Sequence, residues 1–344
     1  MRRRRDSEAF KGSIPALALN NAPVHMFATS LIASYCCTYI VETINHSTMN
    51  IFSLFLQLAT LLHLTSTQQT CTSCGANPIA ATYPSSTTGV INATLSAIIV
   101  PLSYARSLIP PQFPILNNAY TRFGIPPDQY PILIDAQIDH DIEQYGLNLV
   151  PDFSSFHVSF PFVDLLGDGY SNFKYDSYIY LSLLSPIAIA GTAAYNITVL
   201  PATFAPGNAA YTEESWGELS FEVFAGLAQV LGDPPAASVL FHETNSISPL
   251  PLSFFKNTTN QPQFGGNGLL CDNMIRFWNT TLSKGENVPI GLLGTVNLSP
   301  PVVPSQVVYS GVHGVAATTA FIENNYMNCS TLKGYGGTGS GDSG

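Results

Sequence analysis

The sequence predicts a mainly β protein, a sandwich or barrel built from many short strands. Three observations lead there. Charged residues make up only 10% of the chain and hydrophobic residues 46%, which argues against disorder and against a charged, helix-rich surface. Glycine (26), proline (25), tyrosine (16) and phenylalanine (20) are the residues of strands and tight turns. Alternating or aromatic runs punctuated by Gly and Pro recur from Tyr130 onward, with no repeat at a fixed period.

The elements follow in order. Residues 68–90 are rich in Thr, Ser, Pro and Gly and read as irregular, and residues 93–99 read as a short helix before a proline-rich turn. YPILIDAQID reads as a strand ending in Asp139, and DHDIEQYG as a helical turn or two stopped by Gly146. In FHVSFPFVDLL, the residues Phe156, Val158, Phe160 and Phe162 share one strand face. Residues 175–184 form an aromatic strand, and the uncharged run 186–193 another, with a bend over 195–201. WGELSFEVFAGLAQVL opens with Leu219, Phe221 and Val223 alternating against Glu218, Ser220 and Glu222. Residues 239–242, 268–278, 288–298 and 302–309 are further strands, and GVHGVAATTAFIENN a terminal helix or strand. The domain reading is 68–129 as an N-terminal irregular segment, 130–332 as one β domain and 333–344 as a flexible Gly/Ser tail.

The N-terminus carries the compartment signal. Residues 49–67 have the apolar run and small-residue ending of a secretory signal peptide. Residues 1–48 are either a gene-model extension or a membrane-anchoring segment headed by Arg2, Arg3, Arg4 and Arg5. Both alternatives place the rest of the chain outside the cytosol, secreted or anchored with the β domain outside. Six Asn-x-Ser/Thr patterns agree, at Asn92, Asn196, Asn257, Asn279, Asn297 and Asn328. So does an even set of four cysteines, Cys71, Cys74, Cys271 and Cys329, suited to two disulfides of open connectivity. Beyond residue 67 the chain holds 7 Lys and Arg against 19 Asp and Glu. That charge speaks against nucleic acid or anionic lipid as a partner. With the signal removed no membrane association is expected, and the oligomeric state stays open.

Several short motifs carry no chemistry. The terminal Gly341-Asp342-Ser343-Gly344 has no scaffold after it. Cys71-Thr72-Ser73-Cys74 lacks the surroundings of a redox or zinc site and reads as structural, with disulfides tying the N-terminus to Cys271 and Cys329. His242-Glu243 lacks the second histidine of a zinc protease, so neither a metal nor another cofactor is expected. The four lysines beyond residue 67 are Lys174, Lys256, Lys284 and Lys333. None has the apolar sequence neighbours that a neutral, imine-forming amine needs, and Lys174 reads as part of a turn.

Taken in order, these segments resemble the acetoacetate decarboxylase family. The resemblance covers about residues 130–322 and is carried by YPILIDAQIDHDIEQYGLNLVPDF, FVDLLGDGYSNF, YIYLSLLSPIAIAGTAAYNITVLP, WGELSFEVFAGLAQV and LLGTVNLSPPVVPSQVVYSGVHGVAA. It implies a closed, cone-shaped antiparallel β-barrel with a few short helices and an internal cavity. It also implies that the family's lysine pair falls near Thr198-Val199-Leu200, its turn glutamate near Asn172 after Tyr170, and its first-strand arginine near Gln137. Each matched position is uncharged here. The expectation is a secreted glycoprotein whose barrel binds a small molecule without Schiff-base decarboxylation, the cavity approached by Gln137, Tyr170, Asn172, Tyr195 and Thr198. One alternative is a lyase or hydrolase using Glu218, Glu222 or His313 for acid–base chemistry in that cavity. Another is a structural extracellular interaction protein.

Overall fold

The computed structural model describes residues 75–214 and 217–334. The expectations for residues 1–67, for Cys71 and Cys74, and for the tail beyond 334 lie outside the described residues. Thirteen strands form one sheet among the described residues, with few and short helices. The sequence therefore read the fold class as it forms: mainly β.

Three long strands make the frame. These are β1 (Thr87–Pro101), β2 (Gln129–Gln144) and β13 (Val307–Asn328). β1 lies between the other two, antiparallel to both, so neither of its edges is free. From β2 the sheet runs to β4 (Phe153–Val163) and then β5 (Phe173–Ser182). There it forks. Lys174 and Tyr175 of β5 pair in parallel with β10 (Gln263–Phe264), which leads to β11 (Leu270–Phe277) and back to the C-terminal half of β13. Residues 178–182 of β5 instead pair in parallel with β6 (Thr198–Ala205). That path continues through β8 (Glu218–Ala225), β9 (Ala237–Thr244) and β12 (Ile290–Leu298) to the N-terminal half of β13. Two closed circuits thus share β13, β1, β2, β4 and β5. The short strands β3 (Leu147–Val150) and β7 (Thr212–Glu213) attach to β2 and β8.

The two parallel joins in an otherwise antiparallel sheet explain one correction. The run 186–193 is not a strand but helix α3 (Pro186–Ala193), following α1 (Leu102–Leu108) and α2 (Asn117–Thr121) in the chain. Parallel neighbours cannot be joined by a hairpin, and a crossover helix supplies the return. Pro186 sits at the first helical turn, where its missing N–H costs nothing.

Three other segments differ from the sequence expectation for related reasons. Residues 93–99 belong to β1, where pairing on both edges overrides helix-tolerant Ala, Leu and Ser. DHDIEQYG continues β2 to Gln144. Tyr145 and Gly146 then take positive φ values of 54° and 71° in a hairpin turn to β3, so the glycine ends a strand rather than a helix. β13 begins only at Val307, because Pro300, Pro301 and Pro304 lack the N–H a paired strand must donate. The β domain also starts earlier than residue 130, at Thr87.

The remaining α-helices among the described residues are α4 (Ala228–Leu231) and α5 (Leu252–Thr259). Phe254 of α5 packs against Phe123 and Phe162 with ring centroids 5.5 and 6.2 Å apart. Phe162 also meets Tyr120, itself edge-on to Tyr130 at 5.8 Å. These side chains are fully buried apart from Phe123, and each aromatic pair adds about 0.5–1.5 kcal/mol beyond its area. A disulfide joins Cys271 of β11 to Cys329, just past the end of β13, so these two cysteines pair with each other and not with the N-terminal pair, because β11 and β13 are antiparallel neighbours that bring them together.

Gly314 of β13 pairs with Ser96 of β1. A Cβ there would lie 2.3 Å from the Leu95 carbonyl oxygen and 2.9 Å from the Ser96 Cβ. Gly314→Ala is expected to lower stability by about 1–3 kcal/mol through overpacking, measured by urea unfolding. An unchanged midpoint would show that the two long strands are not held at this spacing.

Candidate functional site

The smaller circuit (β1, β2, β4, β5, β10, β11 and β13) encloses a cavity of about 180 Å³. Period-two alternation aims polar residues into it from nearly every wall. From β2 come Asp135, Gln137 and Asp139; their neighbours Ile134, Ala136 and Ile138 take the opposite face and are equally buried. β4 presents Ser155 and His157, β10 presents Gln263, and β11 presents Asp272, Met274 and Arg276. β13 presents Phe321, Glu323 and Asn325. On β5, Lys174 and Asp176 share a face with Ile179 and Leu181 despite the odd spacing. A bulge makes this so: Ser159 of β4 opposes Asp176, while His157, two residues away, opposes Ile179, three away.

Arg276 spans the lumen. Its Nη2 donates to Asp135 Oδ2 at 2.5 Å and to Gln137 Oε1 at 2.6 Å, joining β11 to a strand it does not pair with. Gln137 Nε2 in turn donates to Asp139 Oδ2 at 2.8 Å. Gln263 Nε2 donates to Asp176 Oδ2 at 2.5 Å, and His157 Nδ1 lies 3.8 Å from the same oxygen. His157 Nε2 is 3.0 Å from Ser155 Oγ.

Burial sets the protonation states. It pushes Asp139 up to about 7, only partly opposed by the charges of Arg276 and His157 and by the Gln137 hydrogen bond. Burial likewise raises Asp272, and raises Glu323 well above the usual carboxylate range, with the charge of Asp272 as its next cause. These two carboxyls hydrogen-bond each other, which requires a proton between them, since ionised carboxylates only accept. Lys174 is 6% exposed, and burial lowers its amine from the ordinary lysine value although Asp176 pulls the other way. Its Nζ forms no ion pair with a carboxylate among the described residues.

The roof is made by α3 and the bend after it. Ile187, Ala188, Gly191 and Thr192 line the cavity from the helix. The Tyr195 hydroxyl donates to Asn325 Oδ1 at 2.6 Å and accepts from the Tyr326 N–H at 3.3 Å, and the two tyrosine rings stack 5.6 Å apart.

Of the residues singled out from sequence, Gln137 and Tyr195 line this cavity and the others do not. Thr198, at the position matched to the family's lysines, is exposed at the start of β6. Tyr170 is 55% exposed, and with buried Asn172 it borders a separate surface hollow beside α2. Glu218 and Glu222 lie on the face of β8 opposite buried Leu219, Phe221 and Val223; Glu218 meets His242 at 3.4 Å near the surface. His313 borders a different groove beside β1. Among the described residues no cluster of three or more His, Cys, Asp or Glu is arranged to hold a metal.

The residues missed were Lys174, Asp139, Asp272, Arg276 and Glu323. The signal available was the alternation D-A-Q-I-D in an otherwise aliphatic strand. Polar residues at period two in a strand buried on both faces mark an internal polar wall.

No protein-family model matches the chain, and no curated protein matches it. Among solved structures it is similar to the enduracididine biosynthesis enzyme MppR complexed with pyruvate, at 8% identity and a TM-score of 0.42. That match covers 71% of this chain and 91% of the other. It is similar to the same enzyme with HEPES buffer bound, at 9% identity and a TM-score of 0.43, covering 74% and 95%. It is also similar to an acetoacetate decarboxylase-like enzyme from Sphingomonas wittichii RW1, at 7% identity and a TM-score of 0.35, covering 74% and 99%.

Asp139 makes a pH prediction. An acid whose pKa is raised by folding stabilises the folded state least once both states are ionised. Relative to Asp139→Asn, the parent should lose stability progressively from about pH 4 through pH 7 and level off only above about pH 8, where Asp139 is ionised in both states. Urea unfolding of both proteins across this range is the check, and a pH-independent difference would mean that folding does not raise the Asp139 pKa.

Proposed function

We propose that the chain is an enzyme that activates a small carbonyl compound by forming an imine with Lys174. The carrying observation is the Lys174 amine: buried in a polar lumen, shifted toward its neutral form and unpaired with any carboxylate among the described residues. This replaces the expectation of a cavity without a usable lysine. That expectation was drawn from the sequence neighbours of the four lysines and from the position matched to Thr198.

The step balances with groups on the walls. The neutral Nζ attacks the carbonyl carbon, forming the C–N bond as the carbonyl π pair moves to oxygen. A proton passes from nitrogen to that oxygen, giving a carbinolamine. A protonated lumen carboxyl, Asp139 or the Asp272–Glu323 pair, supplies a second proton, and the oxygen leaves as water to give a cationic iminium. The iminium then draws electrons from the adjacent carbon, so a proton or a carbon group can depart there. The carboxylates left behind lie around the new positive charge, which is the electrostatic term such a site uses.

We also propose that the enzyme works outside the cytosol as a glycoprotein. The Cys271–Cys329 disulfide supports this, as does the exposure of Asn196, Asn279 and Asn328. Asn257 is buried in α5, so its acceptor pattern is closed once the chain has folded.

Incubation with a small ketone or aldehyde and borohydride should convert Lys174 to a secondary amine, located by peptide mass spectrometry. Lys174→Met should abolish that adduct while the far-ultraviolet spectrum stays that of a β protein. Trapping confined to Lys256, Lys284 or Lys333, or no trapping from any carbonyl probe, would overturn the proposal.

A further inference from the structure

The lumen that holds Lys174 is walled by more acid than base. Five carboxyl groups line or back it, Asp139, Asp272 and Glu323 at the lining and buried Asp135 and Asp176 behind them, against Arg276, Lys174 and His157 as permanent or potential cations. The Nη2 of the one guanidinium is shared between Asp135 and Gln137, and its Nε has no hydrogen-bond partner but is itself buried, out of reach of a substrate carboxylate. One oxygen of Asp176 and one of Asp135 are buried with no hydrogen-bond partner, leaving negative potential directed into the interior. The rest of the lining is apolar, including Phe153, Ile179, Leu181, Met274 and Phe321.

Resting on the imine reading above, we propose that the substrate is an uncharged aldehyde or ketone with an apolar substituent, and that oxo-acid anions are excluded. The charge count carries this. When Lys174 is neutral and able to attack, Arg276 is the permanent cation of the wall, with His157 beside Asp176, and the carboxyl side holds Asp135, Asp176 and the proton-sharing Asp272–Glu323 pair. An anionic substrate would add a further negative charge beside a wall that already holds more carboxyls than cations, at a low effective dielectric. A neutral carbonyl adds none, and its conversion to the iminium places a positive charge where the wall is short of one. The apolar side chains take the hydrocarbon part.

The test compares probes of one shape and two charges. Pyruvamide and pyruvate present the same carbonyl, and butanone adds an apolar substituent. With the full chain and borohydride, pyruvamide and butanone should modify Lys174 at least tenfold faster than pyruvate at neutral pH. Pyruvate reacting as fast as pyruvamide, or faster, overturns the exclusion of anions while leaving the imine reading intact. No adduct with any of the three overturns the imine reading and this inference with it. Asp139→Asn and Asp272→Asn should each lower the ratio of pyruvamide to pyruvate trapping severalfold. A ratio measured within one preparation is independent of the fraction correctly folded, and an unchanged ratio in both variants would show that the acidic wall does not set selectivity.

Discussion

A guanidinium at 3% exposure has to be neutralised where it stands, and the way Arg276 achieves this organises the site. It reaches from β11 across the lumen to β2, which lies 141 residues earlier in the chain for Asp135 and is not a pairing neighbour. Backbone ladders fix each strand only to the ones beside it. The Arg276 bridge fixes the diameter, and with it the distance between the Lys174 wall and the Asp139 wall. Removing either partner would leave a charge buried without compensation, a more damaging change than the loss of a surface pair.

The cavity belongs to the smaller circuit and the aromatic and aliphatic core to the larger one, yet five strands serve both. β2 shows how. One face is aliphatic and packs into the main core, and the other carries Asp135, Gln137 and Asp139. β4 repeats the division, with Phe156, Val158 and Phe160 on one side and Ser155, His157 and Ser159 on the other. The acid–base groups are thus mounted on paired strands rather than loops, which limits how far they can drift from working geometry.

Much of the fold was legible because it rests on local pattern. The strands β2, β4, β5, β8, β9, β11 and β12 all show in their alternation or aromatic content. What was not legible depends on who pairs with whom. β1 was read as helix-containing because its pairing with β13 joins residues more than 200 apart. α3 was read as a strand because an uncharged Ile-Ala-Ile run suits either form, and only the parallel join of β5 to β6 decides between them. The candidate site was less legible than the fold. Lys174 sits among Phe173, Tyr175 and Asp176 in sequence, but its environment is built by Gln263, Asp272 and Arg276, which arrive nearly a hundred residues later. Gln137 and Tyr195 were identified through family resemblance, whereas the same resemblance placed attention on Thr198, which faces away.

The two-sided strand β2 has a consequence for how the chain finds its structure. Most strands that slip by one residue exchange a buried face for a wet one, and a partly stable misfolded sheet can result. A slip of β2 would instead drive two aspartates and a glutamine into an aliphatic core and set Ile134, Ala136 and Ile138 against Arg276 and Lys174. Both halves of a one-residue error are penalised at once, in opposite chemical currencies. The residues that could perform chemistry therefore also act as alignment marks, and the polar lumen proofreads the longest pairing in the sheet before any substrate enters it.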